Sequence, residues 1–310
     1  MNEALKTLQV RRLSCAYRPL LNQEVLITMR TIVFILAFVA FGFSNADACS
    51  PLQISVAGDM ALVSSYNEIC GLSLNLPAGG NRAVTGIDIG FMSAAGRVKG
   101  IQANLLLNFT GLSDSYATGV SGIQIAGLAN MFMGASAQGV QIAGLFNSGG
   151  AGGVQVAGFA NSGMYNEVQI SLINTVEKGA YVVQLGLLNT ADDMTGLQCF
   201  GVYNRADRVS GMQIGLVNRT ADPLQGVDPK IRMMAGARGS NMNGIQLGAV
   251  NLADSMTGAQ LGLVNQSRSV QGVQIGLVNI ADQLQGIQIG ALNIVTSGPV
   301  PFLPIANAHF

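Results

Sequence analysis

The sequence predicts an all-β protein made of repeats, which we expect to form a parallel β-solenoid with 14-residue units. Three observations lead to this expectation. An eight-residue motif, G-φ-Q-φ-G-L-φ-N with φ apolar, recurs along most of the chain. Within each copy, apolar residues alternate with Gln or Gly, and this period of two is typical of a β-strand. Glycine, which disfavours helix, supplies 40 of the 310 residues and occupies two positions of the motif.

Thirteen copies of the motif can be counted. The segment from Gly272 to Asn279 (GVQIGLVN) is representative. Asp88 replaces Gln in the first copy. Gln stands in the other copies at positions 102, 124, 141, 155, 169, 184, 198, 213, 246, 260, 274 and 288. The commonest step is 14 residues, and the short segments between copies contain Asn and Asp, which favour turns.

The earlier copies carry one additional residue between Gln and Asn. Gln141 and Asn147 are six positions apart, whereas Gln274 and Asn279 are five positions apart. One additional residue turns every later side chain of a strand to the opposite face of the sheet. A β-bulge at Ala143-Gly144 would restore the phase, and glycine is a residue that bulges prefer.

Two architectures are compatible with these strands. In the solenoid, equivalent residues stack about 4.8 Å apart, with Val, Ile and Leu in the interior. Its Asn row is expected to form a ladder of hydrogen-bonded side chains. Its Gln row is expected to form a second structural ladder, the alternative being a flat hydrogen-bonding surface for a glycan or a partner. The ladder candidates are Gln246, Gln260, Gln274, Gln288, Asn251, Asn265, Asn279 and Asn293.

The alternative architecture is an antiparallel outer-membrane β-barrel of about 16 strands, since a 14-residue step accommodates one spanning strand and a turn. Three observations favour the solenoid: the connections are nearly all alike, aromatic residues make up only 6%, and the strands carry almost no charge. One observation opposes it. Asp254 and Asp282 occupy equivalent turn positions, so parallel stacking would bring like charges close together.

The first 48 residues have the features of a targeting segment. Arg30 precedes an apolar run at 32–43, and Ala46-Asp47-Ala48 follows it, which is typical of a secretory signal peptide. Met29 is then the natural start. The predicted organisation is an upstream extension at 1–28, a signal peptide at 29–48, an N-terminal cap segment at 49–85, a β-repeat domain at 86–298 with an insertion at 223–243, and a C-terminal cap strand at 299–310.

The cysteines agree with export. An oxidising compartment favours a disulfide between Cys49 and Cys70. Acylation of Cys49 stays open, although Ala46 and Asp47 fit a lipoprotein signal poorly. Cys199 replaces an apolar residue of the repeat and is expected to be buried.

Composition excludes several classes of function. The chain has 16 basic residues (Lys and Arg) and 16 acidic residues (Asp and Glu), so it lacks the positive field that nucleic-acid binding requires. The single histidine, His309, has no catalytic cluster around it in sequence, so we expect neither an enzyme nor a metal or cofactor. Lys230, Arg232 and Arg238 form the one charged cluster that breaks the repeat, and they are the candidate binding loop.

The tandem G-V-Q-I-(A)-G-L-x-N units after a signal peptide resemble a family of bacterial surface-repeat proteins. The resemblance covers residues 86–298 and implies export to the cell surface or outer membrane, without a catalytic motif. We therefore expect a non-enzymatic envelope protein with a structural or adhesive role. Its partners would be envelope components or a ligand on a host surface. The alternative role is an outer-membrane channel formed by the same strands.

Overall fold

The computed structural model describes residues 49–56, 60–111, 119–133, 136–149, 152–165, 168–177, 181–221 and 239–310. The predicted upstream extension and signal peptide lie outside these residues, as does most of the predicted insertion.

Within the described residues the chain consists of strands and short connections, and all seventeen strands belong to one sheet. The strands are β1 (Ser50–Ser55), β2 (Glu68–Thr110), β3 (Gly119–Ala126), β4 (Ala129–Phe132), β5 (Ser136–Ala143), β6 (Phe146–Ser148), β7 (Gly153–Ala157), β8 (Ala160–Gly163), β9 (Val168–Ile170), β10 (Ile173–Val176), β11 (Tyr181–Leu185), β12 (Leu188–Thr220), β13 (Asn241–Leu247), β14 (Val250–Leu261), β15 (Val264–Ile275), β16 (Val278–Val295) and β17 (Phe302–His309).

The strands stack as a parallel β-solenoid, which confirms the predicted fold class. Successive coils pair in parallel with a constant offset of one repeat, so that Gln260 of β14 lies beside Gln274 of β15, and Gln274 lies beside Gln288 of β16. The alternative of an antiparallel barrel is wrong, because its neighbouring strands would run in opposite directions.

The two ends of the solenoid differ. At the first coil, β1 pairs in parallel with β2, and a disulfide joins Cys49 to Cys70 with their Cα atoms 5.5 Å apart. At the last coil, β17 runs antiparallel along β16 and covers its edge. The predicted C-terminal cap residues therefore contain a strand that ends the parallel stack.

Each regular coil directs four side chains inward. In the coil that begins at Asn265, the buried residues are Asn265, Ser267, Val270 and Gln274. The expectation that Val, Ile and Leu of the motif fill the interior is wrong, because Gln274 is fully buried whereas Ile275 is 41% exposed. The alternation along the strand is as predicted, but the Gln side faces the interior and the apolar side faces outward. Gln can occupy the narrow interior of a 14-residue coil because its amide hydrogen-bonds to the amides of the same row in the neighbouring coils.

The interior is divided into a polar and an apolar half. Gln and Asn form the polar half, while the other two inward positions carry mainly apolar side chains such as Ala253, Met256, Val270 and Ala281. This apolar half supplies the conventional hydrophobic burial of the fold.

The additional residue of the early copies does not produce a bulge in the ladder. Ala126 pairs with Ala143 without a shift of register, and Ala143 is a buried strand residue. The bend follows at Gly144 and Leu145. The strand thus runs one residue further, and the corner absorbs the change of phase.

Candidate functional site: an apolar face supported by two amide ladders

The predicted glutamine row is a continuous ladder of hydrogen bonds. Gln260 donates from Nε2 to Oε1 of Gln246 at 2.7 Å, Gln274 to Gln260 at 2.7 Å, and Gln288 to Gln274 at 2.8 Å. All four side chains are fully buried. Each amide therefore donates toward the N-terminal end of the solenoid and accepts from the C-terminal side.

The ladder continues past the predicted insertion. Gln246 donates to Oε1 of Gln213 at 2.8 Å, although 33 positions separate them in sequence. The described residues stop at Ala221 and resume at Gly239, and the strands on either side pair in parallel. The stack is thus uninterrupted where the repeat is interrupted.

The predicted asparagine row forms a second ladder of opposite direction. Asn251 donates from Nδ2 to Oδ1 of Asn265 at 2.8 Å, Asn265 to Asn279 at 2.9 Å, and Asn279 to Asn293 at 2.8 Å. Each amide also donates to a backbone carbonyl of the next coil, as Asn265 does to Ile275 at 2.9 Å. Because the NH₂ group must face this carbonyl oxygen, it points toward the next coil, and this orientation sets the direction of the ladder.

Asp88 ends the glutamine ladder at its N-terminal side. Its carboxylate accepts hydrogen bonds from Gln102 Nε2 at 3.1 Å and from Ser93 Oγ at 2.6 Å, and a further one from Asn75. Because an ionised carboxylate only accepts, Asp88 obliges Gln102 to donate toward it. Burial raises the pKa of Asp88 above the ordinary value near 3.8, and the hydrogen bonds from Ser93 and Gln102 oppose this rise.

Outside the ladders lies an apolar face, which we define as the outward residues of the motif from the residue before Gln to the residue before Asn. It contains a column called the floor, which is glycine in most coils (Ser171 is an exception). Beside it lies a column called the ridge, whose residues follow the floor residue in each coil. The ridge is Leu128, Leu145, Phe159, Leu172, Leu187, Val202, Leu216, Ala249, Leu263, Leu277 and Ala291. Backbone hydrogen bonds link ridge residues of successive coils.

Between Phe200 and Ala291 the floor and its walls form an open apolar groove with a volume of about 980 Å³. Its floor is Gly201, Gly215, Gly248, Gly262, Gly276 and Gly290. The ladder beneath explains the glycines: a Cβ on Gly276 would come within 2.7 Å of Asn265 Nδ2 and 2.6 Å of the Gly262 carbonyl oxygen.

Phe200 stands at one end of this groove. Its side chain is 73% exposed, and its φ of 64° is a conformation that side-chain-bearing residues rarely adopt. A large aromatic group held outward by an unfavourable backbone is a common feature of binding sites.

Arg208 pairs with Asp193, and Arg268 lies 3.9 Å from Asp254. The residues of these ion pairs stand three or four positions after Asn in the repeat, outside the apolar face, at a place that we call the charged corner. Arg268 also stands between Asp254 and Asp282 in the column of equivalent turn positions. In this column Arg268 therefore offsets the repulsion that opposed the solenoid, although such exposed pairs contribute little to stability.

The remaining candidate residues are placed as follows. The binding-loop candidates Lys230, Arg232 and Arg238 lie outside the described residues. Cys199 is a free, buried cysteine, as the sequence predicted. Within the described residues, no three His, Cys, Asp or Glu side chains gather into a group that would hold a metal ion, and no helix is long and apolar enough to cross a membrane.

The solenoid interpretation of the sequence missed the outward apolar face, although the repeat carries a signal for it. The Gln position is Gln in twelve of thirteen copies, whereas the position before it is Ile287, Val273, Ala259 or Met212. A residue whose side chain hydrogen-bonds to the equivalent residue of the coils on either side must be the same in every copy, whereas an outward residue can vary. The more constant position is thus the inward one.

A comparison of the chain with family models, curated proteins and solved structures finds no match.

Proposed function

We propose that this chain is an exported, non-enzymatic protein of the bacterial cell envelope, in which the solenoid is a scaffold with a structural or adhesive role. The observation that carries the proposal is the apolar face. Leu263 and Leu277 are more than half exposed, and their column continues through successive coils. A contiguous apolar surface of this extent marks a site of interaction.

The organisation of the interior supports a scaffold. Amide ladders give each coil the same width and the same axis, and their hydrogen bonds contribute about 1 kcal/mol each. The inward polar side chains hold the coils together. The buried carboxylate of Asp88, for example, accepts hydrogen bonds from three neighbours and faces the interior. The outward side of the motif offers shape and apolar area.

Export is tested by expression of the full 310-residue chain in a Gram-negative host, followed by fractionation and mass measurement. We expect the protein in the envelope fraction, with Cys49 as its first residue. An added acyl mass on Cys49 would assign a lipid anchor. An unprocessed chain in the cytoplasm would contradict the proposal.

Adhesion is tested by retention of the purified protein on alkyl-coated beads against uncoated beads. If the role is adhesive, the parent is retained, and the double substitution Leu263→Lys, Leu277→Lys is expected to abolish retention. The control, Gln271→Lys with Gln285→Lys, adds the same charge to exposed neighbours on the polar side and should bind as the parent does. Equal retention of both variants would remove the adhesive role from this face.

A further inference from the structure

We propose that the apolar face is covered by the same face of a second copy of this chain, the two solenoids lying side by side and parallel. This inference concerns the face alone and holds whether or not the protein is exported. It selects the structural over the adhesive role of the proposed function, because a face buried in the pair is not free to bind a surface, so retention of the parent on alkyl beads through this face would count against the pair.

The first argument is the shape of the face. The ridge is its highest column, with Leu277 59% and Leu263 56% exposed, and the glycine floor lies directly beside it. A second face offers the same two columns. If a two-fold axis runs along the solenoid between ridge and floor, each ridge lies in the partner's floor groove. Such an isologous contact needs one self-complementary surface.

The same geometry sets the orientation. Rotation about an axis along the solenoid exchanges the ridge and floor columns, so that leucine meets glycine. Rotation about an axis across the solenoid leaves each column opposite itself, so that leucine meets leucine and glycine meets glycine. Only the parallel arrangement fills the groove, and filled grooves are what close-packed interfaces have.

The axial repeat adds a second argument. Both copies have coils about 4.8 Å apart, so ridge and groove match at every level once they match at one. Leu216, Leu263 and Leu277 then occupy equivalent environments. A fluid lipid surface has no such repeat and would leave the glycine groove unfilled.

The area is sufficient for a stable pair. From Leu128 to Ala291 the ridge spans ten steps between coils, which gives a length of about 50 Å. Five residues across the face give at most about 17 Å, because the chain bends at the floor and ridge residues. Two such faces would bury up to about 1,700 Å² in total, an upper limit that lies within the range of stable protein interfaces.

Variation in repeat length leaves the ridge continuous. The longest departure from the repeat is attached at Ala221 and Gly239, and Ala221 stands three positions after Asn218, at the charged corner of the coil. Ridge and floor therefore continue from Leu216-Gly215 directly to Ala249-Gly248, as the contact between Gly248 and Gly215 shows.

The first test is the mass of the purified protein by light scattering after size exclusion. We expect twice the mass of the processed chain. The Leu263→Lys, Leu277→Lys variant should have the single mass, while the Gln271→Lys, Gln285→Lys control should keep the double mass. Circular dichroism of each variant verifies folding. A parent that is monomeric, or a monomer that binds phosphatidylcholine vesicles through this face, would overturn the proposal.

Cross-linking tests the orientation without depending on those variants. Leu216 and Leu277 are more than half exposed, so Leu216→Cys and Leu277→Cys each introduce an accessible thiol. The native cysteines of the described residues do not compete, because Cys49 and Cys70 are paired and Cys199 is buried. In the parallel dimer each variant alone forms a covalent dimer with a short bifunctional thiol reagent. Covalent dimers only in a mixture of the two would show an antiparallel pair and overturn the parallel arrangement.

Discussion

Gln102 donates the last hydrogen bond of the glutamine ladder to the carboxylate of Asp88, over 3.1 Å. A row of neutral amides therefore ends on a group that can carry charge. Both side chains are fully buried, so the protonation state of Asp88 matters to the stability of the first coils.

The first prediction concerns Asp88→Asn. The folded state raises the pKa of Asp88 because burial disfavours its charge, so folding favours the protonated form. The free energy of unfolding of the parent should therefore fall as pH rises above about 3.8. The variant lacks this charge. Asn75 donates through Nδ2 at this contact, so the introduced NH₂ is satisfied when the Asn75 amide turns over and presents Oδ1, which has no donor among the described residues of the parent.

Denaturation of parent and variant from pH 3 to pH 7 checks this. We expect the stability of the variant relative to the parent to increase with pH. A difference that is constant across this range would show that Asp88 titrates alike in both states.

The second prediction concerns the middle of the ladder. Gln260→Glu removes the donor to Gln246 and places a carboxylate in the interior. We expect the free energy of unfolding to fall by about 3 kcal/mol or more, as when a buried charge lacks its partner. The control is Gln271→Glu, which makes the same change at an exposed position. Chemical denaturation followed by circular dichroism compares the two, and equal losses would contradict an essential ladder.

The third prediction concerns the groove floor. Gly276→Ala places a Cβ within 2.7 Å of Asn265 Nδ2 and should displace the asparagine ladder. We expect a loss of about 1–3 kcal/mol. At Gly80 the nearest atom to an added Cβ is 3.8 Å away, so Gly80→Ala is the matched control and should unfold at nearly the parent midpoint.

The fourth prediction concerns the C-terminal end of the glutamine ladder. Gln288 Oε1 is buried, and among the described residues no group donates to it. Asn307 of β17 lies beside Gln288 and is itself buried. Asn307→Gln lengthens the side chain so that its amide reaches this oxygen, which should add about 1 kcal/mol to the stability. Asn307→Glu has the same length, cannot donate when ionised, and should give no gain.

The fifth prediction concerns the disulfide at the first coil. Cys49 and Cys70 are 21 positions apart, and closing a loop of this length stabilises a protein by about 3 kcal/mol through the unfolded chain. Cys70→Ser should lower the unfolding temperature by a corresponding amount. If a reducing agent lowers the unfolding temperature of this variant as much as that of the parent, the disulfide is not the cause.

Most of the fold could be predicted because it follows from a repeated local pattern. Alternation specified strands, and a constant step specified parallel stacking. Alternation alone does not say which face is inward, and the usual preference for apolar interiors gave the wrong answer for Ile275 and Leu277. The Gln row was expected as a ladder on the face opposite the apolar residues. The ladder is present but lies inside the coil, where each buried amide needs a partner and the equivalent Gln of the next coil supplies one.

The candidate site was harder to predict, because it depends on both faces together. The groove exists because Gly276 must be small for Asn265 beneath it, a contact between residues eleven positions apart in sequence. The charged corner was foreseen only as a difficulty of like charges. The placement of Arg268 between Asp254 and Asp282 required the register of three coils.

The two ladders donate in opposite directions along one axis. An amide carries a dipole of about 3.5 D, and many amides aligned in a single column would produce a field that grows with each added coil. Two columns of opposite sense cancel this field coil by coil. A chain with this interior can therefore gain or lose whole repeats without electrostatic cost at its ends, which makes the length of the solenoid adjustable by duplication or deletion of a single unit.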